Sequence, residues 1–433
     1  MAYDLIIIGA GWAGFNAAIV AQKKGLKVAL VEQGSLGGTC LNLGCIPTKV
    51  LIQSSKALKG IQDAAAFGVE IDGSPKVNFK SVFSRKNRII EQLKKGIELK
   101  LRGVEYFTSR AELVSANTVQ LQDRRLQGRA LLIACGSEPA ECKDLQFDGK
   151  KIISSNDILS YEHIPASLLI VGGGVVGCEF ASLFSLLGSR VTIREAMPQL
   201  LPQEDLEVAR KLETAFKKRG IEVITRAQPG GYDLNSYETV LVCVGRKPLI
   251  YGLGLDSAGV RVDEGRIIID EYLRTSVHNV YAAGDCTAVN MLAHFAAYQA
   301  RIAALNIASG TPSEKALNEG VPNCIFTYPE VASVGLNEQA AKERSLHTQV
   351  RVFHFLASAM ARIMGETEGF IKIVTDTRSD RILGASIIGP NATELIGVIT
   401  VAVQAGVKAK QFRDVLFAHP SLSENTAEAL REV

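Results

Sequence analysis

Residues 4–32 read DLIIIGAGWAGFNAAIVAQKKGLKVALVE. An apolar run from Leu5 to Ile8 leads into Gly9-x-Gly11-x-x-Gly14, followed by Ala17, Ala18 and Ala21, and then by Val28 to Val31 and Glu32. The pattern changes from strand to helix and back to strand, which makes one complete βαβ unit. Gly9 and Gly11 allow a tight turn and the close approach of a pyrophosphate, whose charge the positive end of the following helix stabilises. Gly14 lets helix and strand pack closely. Glu32, 23 residues after Gly9, ends the second strand where a carboxylate accepts both hydroxyls of a ribose. A merely structural glycine turn would not need the strand, helix and acid that surround this one.

The pattern returns in residues 168–195, LLIVGGGVVGCEFASLFSLLGSRVTIRE, with Gly172, Gly174 and Gly177, and with Glu195 again 23 residues after the first glycine. The repeat at identical spacing predicts two dinucleotide sites. Two dinucleotides on one chain imply electron transfer between them, a flavin held permanently and a nicotinamide that comes and goes. Glu195 predicts NAD over NADP, because a 2′-phosphate would meet like charge there. Arg194 does not cancel the carboxylate, since adjacent strand residues point to opposite faces.

A chain of 433 residues is too long for one ordinary core and predicts two or three domains. At 47% hydrophobic and 21% charged it reads as soluble globular protein, and a formal charge of +3 argues against a nucleic-acid or anionic-membrane partner. The eight cysteines, at 40, 45, 135, 142, 178, 243, 286 and 324, form no disulfide framework, and most are expected to be buried thiols. The apolar N-terminus imitates a signal peptide, but Asp4 precedes the run, no basic region does, and glycines break it. No apolar stretch reaches the roughly 18 residues that span a bilayer. The expectation is a cytoplasmic protein without a membrane anchor.

Between the two motifs, residues 81–101 place Val82, Ile89, Ile90, Leu93, Ile97 and Leu101 on one helical face, with Lys and Arg opposite. RALLIACGSEP (129–139) reads as a strand returning to the first unit, and TVLVCVGRKP (239–248) as its counterpart in the second. IIIDEYLRTSVHNVYAAGDC then brings a strand to Gly284 and Asp285, so the first domain is completed only after the second has been inserted. From about residue 320, strands such as FIKIVTD and ILGASIIG followed by helical ATELIGVITVAVQAG predict a third, α+β domain. The expected fold is α/β, with two Rossmann-like domains (1–150 with 249–319, and the inserted 151–248) and a C-terminal domain over 320–433.

GGTCLNLGCIPTK, residues 37–49, sets Cys40 and Cys45 five residues apart. A zinc site needs four ligands, and no other Cys or His lies nearby in sequence. Two structural thiols would not need the glycines. Five residues along a regular helix rise about 7.5 Å, beyond the roughly 4.4–6.8 Å between Cα atoms that a disulfide accepts. A bridging pair therefore requires the backbone to leave the helix between them. Gly44 supplies that freedom, and Pro47 fits a first helical turn just after Cys45, where a thiolate is favoured. In the C-terminal AHPSLSEN, His419 can take a thiol proton near neutral pH and Glu424 can orient its ring. Ser421-x-x-Glu424 is also a capping box that opens a last helix and leaves His419 on the surface.

Taken in order, GAGWAG with Glu32, GGTCLNLGCIPTK, GGGVVGCEFA, VYAAGDC with MLAH downstream, FTYPEVASVG, MGETEGFIKI and AHPSLSE span nearly the whole chain. By them the sequence resembles the flavin-dependent pyridine nucleotide-disulfide oxidoreductases, and among these the enzymes that oxidise dihydrolipoamide. The resemblance implies an FAD domain, an inserted NAD domain and a dimerisation domain, with FAD and NAD as cofactors and no metal. It implies that Cys40 is the outer, interchange thiol and Cys45 the sulfur against the flavin. Lys49 would sit by the flavin N5 and pair with Glu179, while His419, oriented by Glu424, would reach the disulfide of the other subunit. Asp285 would bind the ribityl or pyrophosphate region of FAD. Gly38, Thr39, Ala134, Cys135, Gly136, Leu292 and Ala293 would line the flavin site, and Gly245 and Arg246 would contact cofactor. The partners implied are a second copy of the chain and the lipoyl domain of a 2-oxo acid dehydrogenase or glycine cleavage complex.

Some positions depart from the family pattern. Cys135 stands where Thr is usual, Ser421 where Thr is commoner, and Phe417 where another His is often found. Residues 224–240 are shorter than the β-meander of relatives, which implies a weakened or reshaped NAD site. Glutathione-reductase-like enzymes share the cysteine spacing but prefer Arg where Glu195 stands. Mercuric reductases add a C-terminal cysteine pair that the ending ALREV does not show. A non-catalytic docking subunit of a lipoyl complex would not need Cys40, Cys45 and His419.

Overall fold

In a computed structural model describing residues 2–228 and 230–431, the chain is built on three large sheets with helices packed against them. The first sheet runs Glu105–Thr108, Val28–Glu32, Ala2–Ile8, Arg125–Ile133, Thr118–Gln120, Glu112–Ser115, and Val280–Ala282 also pairs with Arg125–Ile133. Ile7 lies between Leu30 and Leu132 in parallel register. Leu5, Ile6 and Ile7 are all fully buried, as a parallel strand covered on both faces requires. Helix Trp12–Lys23 turns Ala17, Ala18 and Ala21 into one cluster with Ala300, Ala303 and Ala304 of helix Ala293–Ser309. Small side chains on both surfaces allow that close packing.

The second sheet, Glu222–Ile224, Arg190–Arg194, Ser167–Val171, Thr239–Val242 and Ile152–Ile153, is wholly parallel. Its strands all precede Val280–Ala282, so the chain returns to finish the first sheet after the second is built. The outgoing strand Ser137–Pro139 and the returning strand Arg246–Pro248 pair antiparallel, with Pro248 opposite Ser137. The third sheet is antiparallel in the order Asn323–Ile325, Glu330–Gly335, Ile382–Gly389, Phe370–Asp376, Thr348–His354. Helix Ala392–Gln404 covers it with Leu395, Ile396 and Ile399. The fold class is α/β with a C-terminal α+β unit, and among the described residues no helix is long and apolar enough to cross a membrane.

Two expectations need correction. Helix Phe79–Lys100 buries Lys86, 5% exposed, while Leu93 is 43% exposed. The lysine is accommodated because its Nζ donates to Leu159 O at 2.6 Å and lies over the Phe83 ring. Of the eight cysteines only Cys178 and Cys286 are fully buried; the other six are partly exposed. The short stretch after Glu222–Ile224 covers its sheet face. Tyr232, Leu234 and Tyr237 pack on Leu169, Val171, Val240 and Val242, and Tyr237 Oη donates to Thr192 Oγ1 at 2.9 Å.

Gly9 and Gly172 open the two glycine turns at φ +100° and +108°, in the left-handed region that favours glycine. A Cβ on Gly14 would lie 1.7 Å from the Gly9 carbonyl oxygen, and one on Gly177 2.0 Å from that of Gly172. The third glycine of each motif is thus required by the contact of helix with turn. The middle glycine of the second motif is different: a Cβ on Gly174 meets nothing within 4 Å. Gly177→Ala is expected to lower stability by about 1–3 kcal/mol. Gly174→Ala should change it by less than about 0.5 kcal/mol. Urea unfolding of the two variants measures the contrast.

Candidate active site

The two glycine turns are near copies. In the first, Glu32 accepts hydrogen bonds from the Ala10 and Gly34 amides, both at 2.7 Å. In the second, Glu195 accepts from Gly173 N at 2.5 Å and Met197 N at 2.7 Å. Each carboxylate is thereby held at the mouth of its turn. Gly11 and Gly174 are the N-caps of helices Trp12–Lys23 and Val175–Leu186, and neither has a side-chain cap. The first-turn amides of both helices are left to an anion, and the open space beside Gly174 admits one. These residues fit dinucleotide pyrophosphates. Gly38, at φ +60°, packs on the first turn so tightly that a Cβ there would lie 2.6 Å from Gly11 Cα. That contact joins the cysteine segment to the first turn.

Arg194 and Glu195 part as strand geometry requires. Glu195 is bonded into the glycine turn, whereas the Arg194 guanidinium stacks 5.0 Å from the Tyr232 ring and donates to Gln228 O at 3.4 Å. The shortened segment thus supplies the ring that occupies Arg194.

Cys40 lies in the short helix Gly38–Leu43, which also carries Thr39, and Cys45 opens helix Cys45–Gln62. Gly44 separates the helices at φ −153°, ψ −113°, and a Cβ on it would come within 3.1 Å of Thr39 O. The backbone departs from the helix at the position the cysteine spacing demands. Both cysteines are thiols here, and they are hydrogen-bonded to each other. The bond from Cys40 holds the Cys45 thiol below its ordinary range, with Lys49 adding to the effect against the opposing cost of burial. The same bond pushes Cys40 up, with burial reinforcing it. These effects, with the helix N-terminus at Cys45, favour charge on Cys45 over Cys40.

Lys49, one turn into that helix, meets Glu179 of helix Val175–Leu186, with its Nζ 2.8 Å from each carboxylate oxygen. The Glu179 side chain is 4% exposed and that of Lys49 30%. Glu179 Oε1 also accepts from the Phe326 amide at 2.9 Å, and the Phe326 ring lies 4.6 Å from Lys49 Nζ. Sequence reasoning missed Phe326, although it belongs to the quoted FTYPEVASVG; its role lies in a main-chain N–H, which no residue type advertises.

His419 and Glu424 form the pair that the sequence allowed, but Ser421 does not cap the last helix. His419 Nδ1 is 2.9 Å from Glu424 Oε2, while Glu424 Oε1 accepts from Ser421 N at 3.0 Å and Glu424 N donates to Ser421 Oγ at 3.2 Å. Helix Glu424–Glu428 has Ser423 as its N-cap with no side-chain cap, so the reciprocal Ser421–Glu424 bonds lie just ahead of the helix, where they hold the carboxylate that orients the imidazole. The Ser421 amide, ahead of His419, holds the Glu424 carboxyl below the usual carboxylate range. The His419 side chain is 73% exposed, and among the described residues no hydrogen bond links it to Cys40 or Cys45.

Ala134, Cys135 and Gly136 follow strand Arg125–Ile133, and the Ala134 carbonyl faces Gly9. Where a hydroxyl is usual, the Cys135 thiol is hydrogen-bonded to Cys286 and pushed well up by that bond and by burial. Asp285 begins the turn Asp285–Thr287, Leu292 caps helix Ala293–Ser309, and Ala293 is its first residue. Gly245, at φ +128°, precedes the returning strand, and its carbonyl accepts from Ala140 N at 3.0 Å. Arg246 donates from Nε to Ser137 Oγ at 2.8 Å and from Nη2 to Ser137 O at 2.7 Å, while Ser137 Oγ donates to Asp285 Oδ2 at 2.5 Å. Burial lowers the Arg246 guanidinium from its ordinary range. Ser137, like Phe326, was not singled out from sequence.

Residues 3–300 match the family described as pyridine nucleotide-disulphide oxidoreductase, and residues 321–430 match the dimerisation domain of the same family. The chain is 38% identical to a dihydrolipoyl dehydrogenase of Bacillus subtilis, covering 98% of this chain and 97% of that protein. It is 36% identical to a dihydrolipoyl dehydrogenase of Chlamydia trachomatis, covering 99% and 96%. Among solved structures, LpdA of Mycobacterium tuberculosis superposes with a TM-score of 0.89 at 27% identity over 98% of both chains. The HOCl-induced flavoprotein disulfide reductase RclA of Escherichia coli superposes with 0.87 at 27% identity over 99% of both. With its two glycine turns, its paired thiols and its separate C-terminal sheet, the chain belongs to the pyridine nucleotide-disulphide oxidoreductase family.

Proposed function

We propose that the protein is a dihydrolipoyl dehydrogenase that oxidises dihydrolipoamide to lipoamide with NAD⁺. The observation that carries this reading is the placement of Cys40 and Cys45 on either side of the break at Gly44, with Cys45 at a helix N-terminus and the Lys49–Glu179 ion pair one turn further on. Relatives of that name at 36–38% identity over nearly the whole chain support it. FAD, bound at the first glycine turn, would supply the two-electron passage from the Cys45 sulfur to the nicotinamide at the second.

The protein's own part is thiol–disulfide exchange and proton handling. In the oxidised state Cys40 and Cys45 are joined. His419 takes a proton from one thiol of the substrate, and the resulting thiolate attacks Cys40 Sγ, breaking the Cys40–Cys45 bond and releasing Cys45 as thiolate. The second substrate sulfur, losing its proton, attacks the first, so that lipoamide leaves with its ring disulfide and Cys40 departs to regain a proton. Two electrons now reside on the cysteine pair. In that reduced pair the neighbouring Cys40, Lys49 and the helix N-terminus favour charge on Cys45. Glu424 fixes the His419 ring and stabilises its cation. Glu195 holds the adenosine ribose of NAD⁺ and, by like charge, disfavours a 2′-phosphate.

We further propose a homodimer in which the exposed His419 of one chain serves the cysteine pair of the other. The substrate arm would be presented by a lipoyl domain of a 2-oxo acid dehydrogenase or glycine cleavage complex. Steady-state assays are expected to give turnover with dihydrolipoamide and NAD⁺, at least about tenfold lower kcat/KM with NADP⁺, and little activity with glutathione disulfide; the cofactor ratio corresponds to about 1.4 kcal/mol. Equal efficiency with NADP⁺ would contradict the role of Glu195.

Sharing of the site is tested by subunit mixing. Cys45→Ser and His419→Ala chains, each nearly inactive, are dissociated and reassociated, and heterodimers are confirmed by mass. A shared site leaves one intact cysteine–histidine set per heterodimer, so activity returns. Confirmed heterodimers that stay inactive place His419 with the cysteines of its own chain.

A further inference from the structure

The chain crosses between its two dinucleotide units twice, outward through Ser137–Pro139 and back through Arg246–Pro248, and these strands pair with each other. Ser137 of the outward crossing meets Asp285, and Arg246 of the return meets Ser137. Arg246 Nε donates to Ser137 Oγ at 2.8 Å, and Arg246 Nη2 donates to the carbonyl oxygen of the same serine at 2.7 Å. Ser137 is 6% exposed.

The direction of the proton in this chain is forced. A guanidinium nitrogen can only donate, so one lone pair of the Ser137 hydroxyl is taken by Arg246 Nε. The hydroxyl proton is then committed to Asp285 Oδ2, 2.5 Å away. The donor is polarised by a cation and the acceptor is an anion, which makes the second bond charge-assisted. Among the described residues the one hydrogen bond to the Asp285 carboxylate is that from Ser137 to Oδ2, and none reaches Oδ1. The carboxylate is fixed through one oxygen and leaves the other for a ligand.

We propose that Ser137 and Arg246 are positioning residues that hold the Asp285 carboxylate, through the Ser137 hydroxyl, in the orientation that receives FAD. The inference rests on the reading of the first turn as the FAD site. It also gives Arg246 a task distinct from nucleotide contact: the arginine that ends the second unit orders the acid of the first.

The test uses the purified holoenzyme, with FAD release on dilution followed by the recovery of free-flavin fluorescence and with the visible absorption of the bound flavin. Ser137→Ala is expected to weaken FAD binding about tenfold, as loss of a charge-assisted hydrogen bond does, and to shift the bound-flavin spectrum. Ser137→Thr, which keeps the hydroxyl, should stay within about twofold of wild type, and adding Ser137→Ala to Asp285→Asn should cost no more than about twofold further. If Ser137→Ala does not fold, Arg246→Met reads the same coupling, because methionine keeps an unbranched apolar stem but has no N–H to donate to the hydroxyl. Wild-type affinity and an unchanged spectrum in Ser137→Ala overturn the proposal, as do fully additive losses in the double variant. A wild-type chain with no affinity for FAD is a separate failure, that of the FAD reading itself.

Discussion

One ion pair joins the three parts of this molecule at the point where its chemistry is proposed. Glu179, nearly inaccessible to water, comes from the first helix of the second dinucleotide unit; Lys49 comes from the helix that Cys45 opens; the Phe326 amide comes from the edge of the third sheet. A buried carboxylate is costly unless its oxygens are occupied. Glu179 occupies both on Lys49 and shares one with Phe326, so no unit can move away without leaving a charge or a donor unmet. The lysine held there contributes to keeping Cys45 as the charged member of the cysteine pair. Packing and reactivity depend on the same contact.

The cysteine pair rests on a second constraint, the break at Gly44. A continuous helix would hold Cys40 and Cys45 too far apart and on different faces. Ending one helix at Leu43 and starting another at Cys45 brings the sulfurs into contact and gives the second the N-terminus of an 18-residue helix. Gly38 anchors the segment against Gly11, so the pair lies beside the turn that fits a pyrophosphate. Local geometry, charge and cofactor placement are set by a few glycines whose side chains have no room.

Much of this could be read in the sequence. Each glycine turn lies between a continuous apolar run and a helical stretch, with an acid at fixed distance, so these runs and their spacing announced the two parallel units. The order of strands around Val280 to Asp285 likewise announced the return to the first sheet. What escaped reading depends on contacts distant in sequence or on the main chain. Ser137 meets Asp285 across 148 positions and Arg246 across 109, and the Phe326 contribution is an amide. Leu93 and Lys86 exchanged their expected places because helical periodicity cannot tell which end of an amphipathic face is covered by a neighbour. The short stretch after Ile224 read as turn-rich, and its tyrosines still cover the sheet.

Cys40 and Cys45 are proposed as the redox centre for a dithiol substrate. The most direct test is an anaerobic single turnover of the oxidised protein with dihydrolipoamide and no NAD⁺, quenched with an alkylating reagent and resolved by peptide mass. The account predicts that Cys40 and Cys45 pass from a mutual disulfide to two alkylated thiols, one lipoamide forming per pair, while the other six cysteines keep their state. Lipoamide formed with the Cys40–Cys45 bond intact, or with Cys135 and Cys286 changing state instead, would contradict it.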